Sequence, residues 1–190
     1  MSYDLIGNWK AGWALDIHTL SSVIQPDGSF ENVRSEIGEA LFQLKYRQDY
    51  NQIDYLAGQT VKFLRTRLVL PYINVIMPTP ASQTRLRQPV HEITQKVCAE
   101  LNIPYDDSFI QKTRNTSQLK EITDLAQRQA MIEGAFEIVD SEKYRNKKVL
   151  VIDDLFRSGT TLNELCKVLY ESVGVNNVYI VTLTKTRSNK

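Results

Sequence analysis

A chain of 190 residues with 42% hydrophobic side chains can bury one sizeable core and lies at the upper end of a usual single domain. Its 23 Lys and Arg stand against 22 Asp and Glu, so no general field exists to hold a polyanion, and direct nucleic-acid binding is not expected. The N-terminus has no basic stretch leading into an apolar run, and no apolar run approaches the roughly 18 residues of a membrane span, so a cytoplasmic setting is expected.

The first elements in chain order are Leu5–Trp9, a turn at Lys10–Gly12, and Trp13–Leu20. They read as a hairpin rather than a strand-helix unit, and predict a flap over residues 1–35 appended to a core over 36–190 of one domain. Gln25-Pro26-Asp27-Gly28-Ser29 is a turn-forming cluster and the expected flexible joint. Ile37, Ala40, Leu41 and Leu44, then Ile53, Leu56, Ala57 and Leu64, recur at helical spacing and predict two amphipathic helices. Tyr72–Met77 is rich in β-branched residues and stops at Pro78, as a strand does. Val90, Ile93, Val97 and Leu101 predict a helix ending before Pro104, followed by a short strand over Ser108–Gln111. Thr116 can cap a helix running to about Ile132, and Phe136–Val139 reads as a strand before a polar turn.

Lys148–Asp153 is continuously apolar until it ends in acid, as expected for a strand covered on both faces of a parallel sheet. Leu162, Leu165, Cys166 and Leu169 predict the next helix, ending at Gly174, and Val178–Leu183 one more buried strand. Cys98 and Cys166 both fall in apolar helical patterns and read as small buried side chains, not as a disulfide or a metal site. Alternating strands and helices imply an α/β fold with a mostly parallel, doubly wound sheet.

In such a sheet ligands sit outside the carboxyl ends of the strands, where Asp153 and Asp154 fall. After them comes Leu155-Phe156-Arg157-Ser158-Gly159-Thr160-Thr161, a short loop with one glycine and three hydroxyls immediately before a helix. A helix N-terminus offers unpaired N–H groups and the positive end of its dipole, and glycine lets a phosphate come close. Two neighbouring carboxylates can accept hydrogen bonds from a cis-diol or hold a divalent ion beside it. A phosphate and a diol one sugar apart describe a ribose 5-phosphate. Each piece alone has a structural reading, since an acid often ends a strand and Ser-Gly-Thr often only caps a helix. No Gly-x-x-x-x-Gly-Lys-Ser/Thr and no Gly-x-Gly-x-x-Gly occurs, which argues against a P-loop or dinucleotide site.

Val149–Leu162 resembles the phosphoribosyl-pyrophosphate-binding motif of type I phosphoribosyltransferases. Within that superfamily the surroundings most resemble the ComF family of competence-associated, amidophosphoribosyltransferase-like proteins. Leu44-Lys45-Tyr46-Arg47 resembles that family's early Leu-Lys-Tyr segment, and Met77-Pro78-Thr79-Pro80 its Val-Pro-Val-Pro loop. Lys112-Thr113-Arg114-Asn115-Thr116 with Gln118, and Arg128 followed by Gly134-Ala135-Phe136, are similar to its central motifs.

The resemblance implies a type I phosphoribosyltransferase fold with an N-terminal hood, binding phosphoribosyl pyrophosphate with Mg²⁺ and transferring the phosphoribosyl group to a nitrogenous acceptor. Asp153 and Asp154 would bind the ribose hydroxyls and the metal and stand as the catalytic acids. Arg157, Ser158, Gly159, Thr160 and Thr161 would line the 5-phosphate. Pro80, Ala81 and Ser82, in the loop running to about Gln83, would hold the pyrophosphate, with Arg85, Arg87, Lys112 and Arg114 neutralising it. Each basic residue also reads as a solvated face, and Lys45 reads either as a further side chain reaching the site or as the outer edge of a helix. His18 and His91 read as structural histidines.

Arg87-Gln88-Pro89-Val90-His91 replaces the family's Arg-Gly-Phe-Asn-Gln, Arg157 stands where a threonine is common, and Met131 where asparagine is. The family's N-terminal zinc-binding cysteines are missing. These departures keep two other readings open. One is a sugar-phosphate sensor or adaptor without turnover. The other is a partner of a DNA-processing protein that uses Trp9, Trp13 and the flap as contact surface, against the plainer reading of those aromatics as packing. A homodimer is the ordinary expectation for small enzymes of this kind.

Overall fold

The computed structural model describes residues 2–81, 86–113 and 133–187. Five strands form the central sheet. They are β1 (Tyr3–Asp4), β2 (Ala11–Ile17), β5 (Val75–Pro78), β8 (Lys148–Phe156) and β9 (Asn177–Lys185), in the order β1-β2-β9-β8-β5. All neighbours run parallel except β1, which pairs antiparallel with β2 at the edge. Outside this sheet stand a hairpin, β3 (Thr19–Ile24) with β4 (Phe30–Arg34), and an antiparallel strand pair, β6 (Ile110–Lys112) with β7 (Phe136–Ile138).

Side-chain alternation along the strands divides the core in two. Val149 and Val151 of β8, Val75 and Met77 of β5, and Val178 and Ile180 of β9 face one way. They pack on α4 (Thr160–Val168), through Leu162, Leu165 and Cys166, and on Phe109 and Phe136. Leu150, Ile152, Ile76, Tyr179 and Val181 face the other way. They meet α1 (Glu36–Tyr46), α2 (Gln52–Leu64) and α3 (Pro89–Leu101) through residues such as Leu41, Leu44, Leu56 and Ile93. Burying each such Leu or Ile stabilises the fold by about 2 kcal/mol, and helices on both faces are what a parallel sheet needs.

The caps follow local chemistry. The Ser35 hydroxyl accepts the Gly38 N–H at 3.0 Å to start α1. A Cβ at Gly38 would collide with the His18 carbonyl, so α1 begins hard against the carboxyl end of β2. Asn102 ends α3 in the left-handed region at φ 54°. A five-residue π turn, Leu169–Val173, extends α4 to Gly174 at φ 69°.

Residues 1–35, expected as an appended flap, divide between the main sheet and the β3–β4 hairpin outside it. The hairpin expected at the N-terminus exists as β1 and β2, but β2 is a parallel member of the main sheet, paired with β9 from Ala11 to Ile17. Trp9 is buried and Trp13 stacks on Tyr179 at 6.5 Å, so both are packing rather than contact surface. Gln25–Ser29, expected as a joint, is the tight turn of the β3–β4 hairpin. The Gln25 N–H donates to the Ser29 carbonyl at 2.8 Å, and the Asp27 carboxylate accepts the Ser29 N–H. The helix expected over Thr116–Ile132 lies outside the described residues.

Candidate functional site

β8 does not stop at its first acid. Leu155 and Phe156 still pair with Thr184 and Lys185, so both carboxylates lie inside the strand and project to opposite faces of the sheet. Asp153 falls on the side of Val149 and Val151. There its Oδ1 accepts the Thr79 hydroxyl and the Asp154 N–H, each at 2.8 Å. Asp154 turns toward α1 and forms an ion pair with Lys45. Lys45 therefore belongs to the acid pair, although its place at a helix edge also allowed a solvated role. Thr79, immediately after β5, shares Asp153's face because β5 and β8 run in register, Met77 opposite Val151.

The two acids experience different fields. Burial pushes the Asp153 carboxyl up, the Asp154 charge adds to it, and the Thr79 hydroxyl and Lys45 ammonium only partly oppose them; the result is about 6. Lys112 of β6 is pulled down by burial, while the Asp153 charge pulls it the other way, and its ammonium lies 5.7 Å from the centre of the Phe136 ring. His18, at the end of β2, is lowered by burial and by the charges of Arg34 and Lys45, and Asp154 acts in the opposite sense. Its Nδ1 is hydrogen-bonded to the Thr19 hydroxyl at 3.0 Å.

From Phe156 the chain bends through Arg157-Ser158-Gly159 into α4. Gly159 adopts φ 75°, and a Cβ there would stand 3.0 Å from the Phe156 ring, so conformation and contact both call for glycine. No side chain caps the first turn of α4, and the Ser158 and Thr160 hydroxyls lie 2.9 Å apart beside it. Uncapped N–H groups, two hydroxyls and a dipole terminus suit a phosphate dianion. Thr160 is buried, whereas Arg157 is exposed.

The other candidates distribute unevenly. Pro80 and Ala81 leave β5 partly buried, next to Thr79, whose N–H donates to the Ile152 carbonyl beside Asp153. Thr161 lies in the first turn of α4. Arg87 is engaged elsewhere, paired with Glu92 and lying 3.7 Å over the Tyr50 ring. Ser82, Arg85 and Arg114 lie outside the described residues, as do Gln118, Arg128 and Met131. Among the described residues no group of three or more His, Cys, Asp or Glu could hold a metal. Acids that diverge across a strand, one of them already paired with Lys45, do not make a resident metal cage. They leave at most one carboxylate for a divalent ion whose other ligands come from elsewhere.

Thr79 carries no sequence signal of its own within Met77–Pro80, and only strand register brings it to Asp153. No helix among the described residues is long and apolar enough to cross a membrane.

A family model described as a phosphoribosyl transferase domain matches residues 92–190, just over half of the chain. No curated protein matches. Among solved structures, similarity extends to Leishmania donovani UMP synthase, with 18% identity over 87% of this chain and a TM-score of 0.45. This chain spans only 28% of that protein's length. Adenine phosphoribosyltransferase from Thermoanaerobacter pseudethanolicus shares 14% identity over 88% of this chain and 95% of its own, at a TM-score of 0.46. Orotate phosphoribosyltransferase from Francisella tularensis shares 14% over 87% and 78%, at 0.45.

Proposed function

The chain belongs to the phosphoribosyl transferase domain family, and on that premise we propose that it binds phosphoribosyl pyrophosphate with Mg²⁺ and transfers the phosphoribosyl group to a nitrogenous acceptor. The observation that carries the proposal is the juxtaposition, within one strand-loop-helix unit, of the Asp153–Asp154 pair and the uncapped, glycine-started N-terminus of α4. The Ser158–Thr161 amides and hydroxyls receive the 5-phosphate. Asp153 accepts hydrogen bonds from the ribose hydroxyls, and Asp154, turned to the other face and paired with Lys45, contributes its charge beside it. Pro80, Ala81 and Lys112 face the pyrophosphate, and the motif resemblance assigns Ser82, Arg85 and Arg114 to the same group. Leu44–Arg47 and Met77–Pro80 support a place close to the ComF branch.

In the reaction the bond from the anomeric carbon to pyrophosphate oxygen breaks while a bond to the acceptor nitrogen forms, and the acceptor's proton leaves to solvent or to a carboxylate. Mg²⁺, when bound, supplies positive charge against the departing pyrophosphate. The protein's own contribution is placement and electrostatics, with no covalent intermediate required. Asp153, held near 6, keeps its charge at neutral pH at a solvation cost, and a ribose diol replaces the hydration it lacks.

Calorimetric titration of the ligand, with and without Mg²⁺, tests this against an Asp153→Asn, Asp154→Asn double variant. Wild-type affinity in the micromolar range, about −8 kcal/mol, that requires Mg²⁺ and falls at least about a hundredfold in the double variant supports the site. A folded wild type that does not bind the ligand refutes it. Pyrophosphate release on adding nitrogenous acceptors then separates turnover from a binding-only role as sensor or adaptor.

A further inference from the structure

The segment that looked like an appended flap reaches the loop assigned above to the 5-phosphate. Trp9 lies just before β2 and is 7% exposed. Its indole N–H donates to the Leu5 carbonyl at 2.8 Å. Its ring fills the space that a Cβ at Gly7 or at Gly12 would need, so two glycines are spent on admitting it. The Leu5 N–H donates to the Gly12 carbonyl and the Lys10 N–H to the Val178 carbonyl, both at 2.8 Å, which fastens this short segment to the sheet.

From that anchored position Trp9 meets the Phe156 ring edge-on, with centroids 6.1 Å apart and planes at 87°. The Phe156 ring lies in turn 3.0 and 3.1 Å from where a Cβ on Gly159 would stand. A second contact comes from the neighbouring residue, whose amide acts on the same helix: the Asn8 N–H donates to the Asn163 Oδ1 at 2.9 Å. Asn163 is itself tied to the loop, its N–H donating to the Gly159 carbonyl at 2.8 Å.

We infer that Trp9 is a positioning residue for the phosphate loop, acting through Phe156 to hold Gly159 and the first amides of α4 in the geometry that receives a phosphate. The physical need is plain. Gly159 has no side chain to restrain it and is the most conformationally free residue of the loop, so without support its ordering must be supplied when the ligand binds. Phe156 is only partly buried, and the Trp9 edge fixes its ring where it touches the glycine. The N-terminal segment thereby acts on the ligand site without touching the ligand.

This inference rests on reading Ser158–Thr161 as the phosphate site, and two probes keep the two claims apart. Ribose 5-phosphate reports on the loop, and Mg²⁺-pyrophosphate on the opposite half of the site. Both are titrated into wild type, Trp9→Leu, Trp9→Phe and Phe156→Leu at a temperature well below every variant's melting transition. Trp9→Leu and Phe156→Leu should weaken ribose 5-phosphate about tenfold, equivalent to 1.4 kcal/mol, and leave Mg²⁺-pyrophosphate within about twofold. Trp9→Phe should recover most of the loss, because an aromatic edge is restored. Equal weakening of both probes, or no weakening of ribose 5-phosphate, overturns the inference and leaves Trp9 a packing residue. Failure of wild type to bind ribose 5-phosphate instead removes the phosphate-site reading, and this inference with it.

Should Trp9→Leu not fold, a Trp13→Phe background leaves Trp9 as the single tryptophan. Its emission should shift on saturation with ribose 5-phosphate and not with Mg²⁺-pyrophosphate; an unchanged emission overturns the coupling.

Discussion

Asp106 and Asp153 both lose water on folding, and they reach opposite states. Asp106 follows the bridge between Ile76 and Tyr105. Burial works against its charge, yet Lys143, the Tyr144 hydroxyl and Ser108 all donate to it and hold it at about 2. The Phe109 N–H adds a further bond at 3.1 Å. Asp153 is desolvated too, but its donors are one hydroxyl and one amide, its neighbour is a second carboxylate, and it is left at about 6. Asp106, buried with its hydrogen-bonding capacity filled, is a structural fastening, whereas half-buried Asp153 keeps capacity to accept further donors.

Several substitutions would break or sharpen that contrast. The largest effect belongs to the satisfied acid. Asp106→Ala leaves Lys143 and Tyr144 without their acceptor and should cost about 3 kcal/mol, read as a lower midpoint in urea denaturation, with ligand affinity unchanged while the protein is folded. The contribution of Asp106 is present above the unfolded carboxyl's value near 4 and is lost as pH falls toward about 2.

Asp153→Asn should act in the opposite sense. The native carboxyl keeps its proton up to about 6 while the unfolded one releases it near 4, so stability falls as pH rises through that window. An amide still offers an oxygen to Thr79 and carries no charge. The variant should gain about 1 kcal/mol at pH 7, the gain vanishing near pH 4, while ligand binding is lost. A destabilised variant at pH 7 would mean that Asp153 is structural like Asp106.

Lys45→Met has the smallest expected effect. Removing the ammonium that opposes the rise of Asp153 should move the pH midpoint of ligand binding upward, an effect below about 1 kcal/mol, measured as affinity against pH. A downward shift would show that Lys45 competes with the ligand for Asp154.

Much of the fold was legible because helices α1, α2 and α3 each bury one stripe, which prints a 3.6-residue period on the sequence. β8 and β9 are covered on both faces and read as unbroken apolar runs. The β8–α4 corner was legible for a different reason: two acids, a glycine and hydroxyls are contiguous there, so chemistry and position coincide. β2 was not. Gly12 and Asp16 interrupt its apolar pattern, and its partner β9 lies at the other end of the chain, so nothing local separates a sheet strand from a flap.

By itself the sequence determined the α/β alternation, the core faces of the helices, the β8–α4 corner and the glycine at its turn, because each depends on residues within a few positions of one another. Tertiary structure alone decided that β2 lies beside β9, that Lys45 pairs with Asp154 and Thr79 with Asp153, and that Trp9 lies against Phe156. Those facts depend on strand order and register, which place residues as far apart as Thr79 and Asp153 within 2.8 Å, and no local pattern encodes which face of which strand a distant side chain will meet.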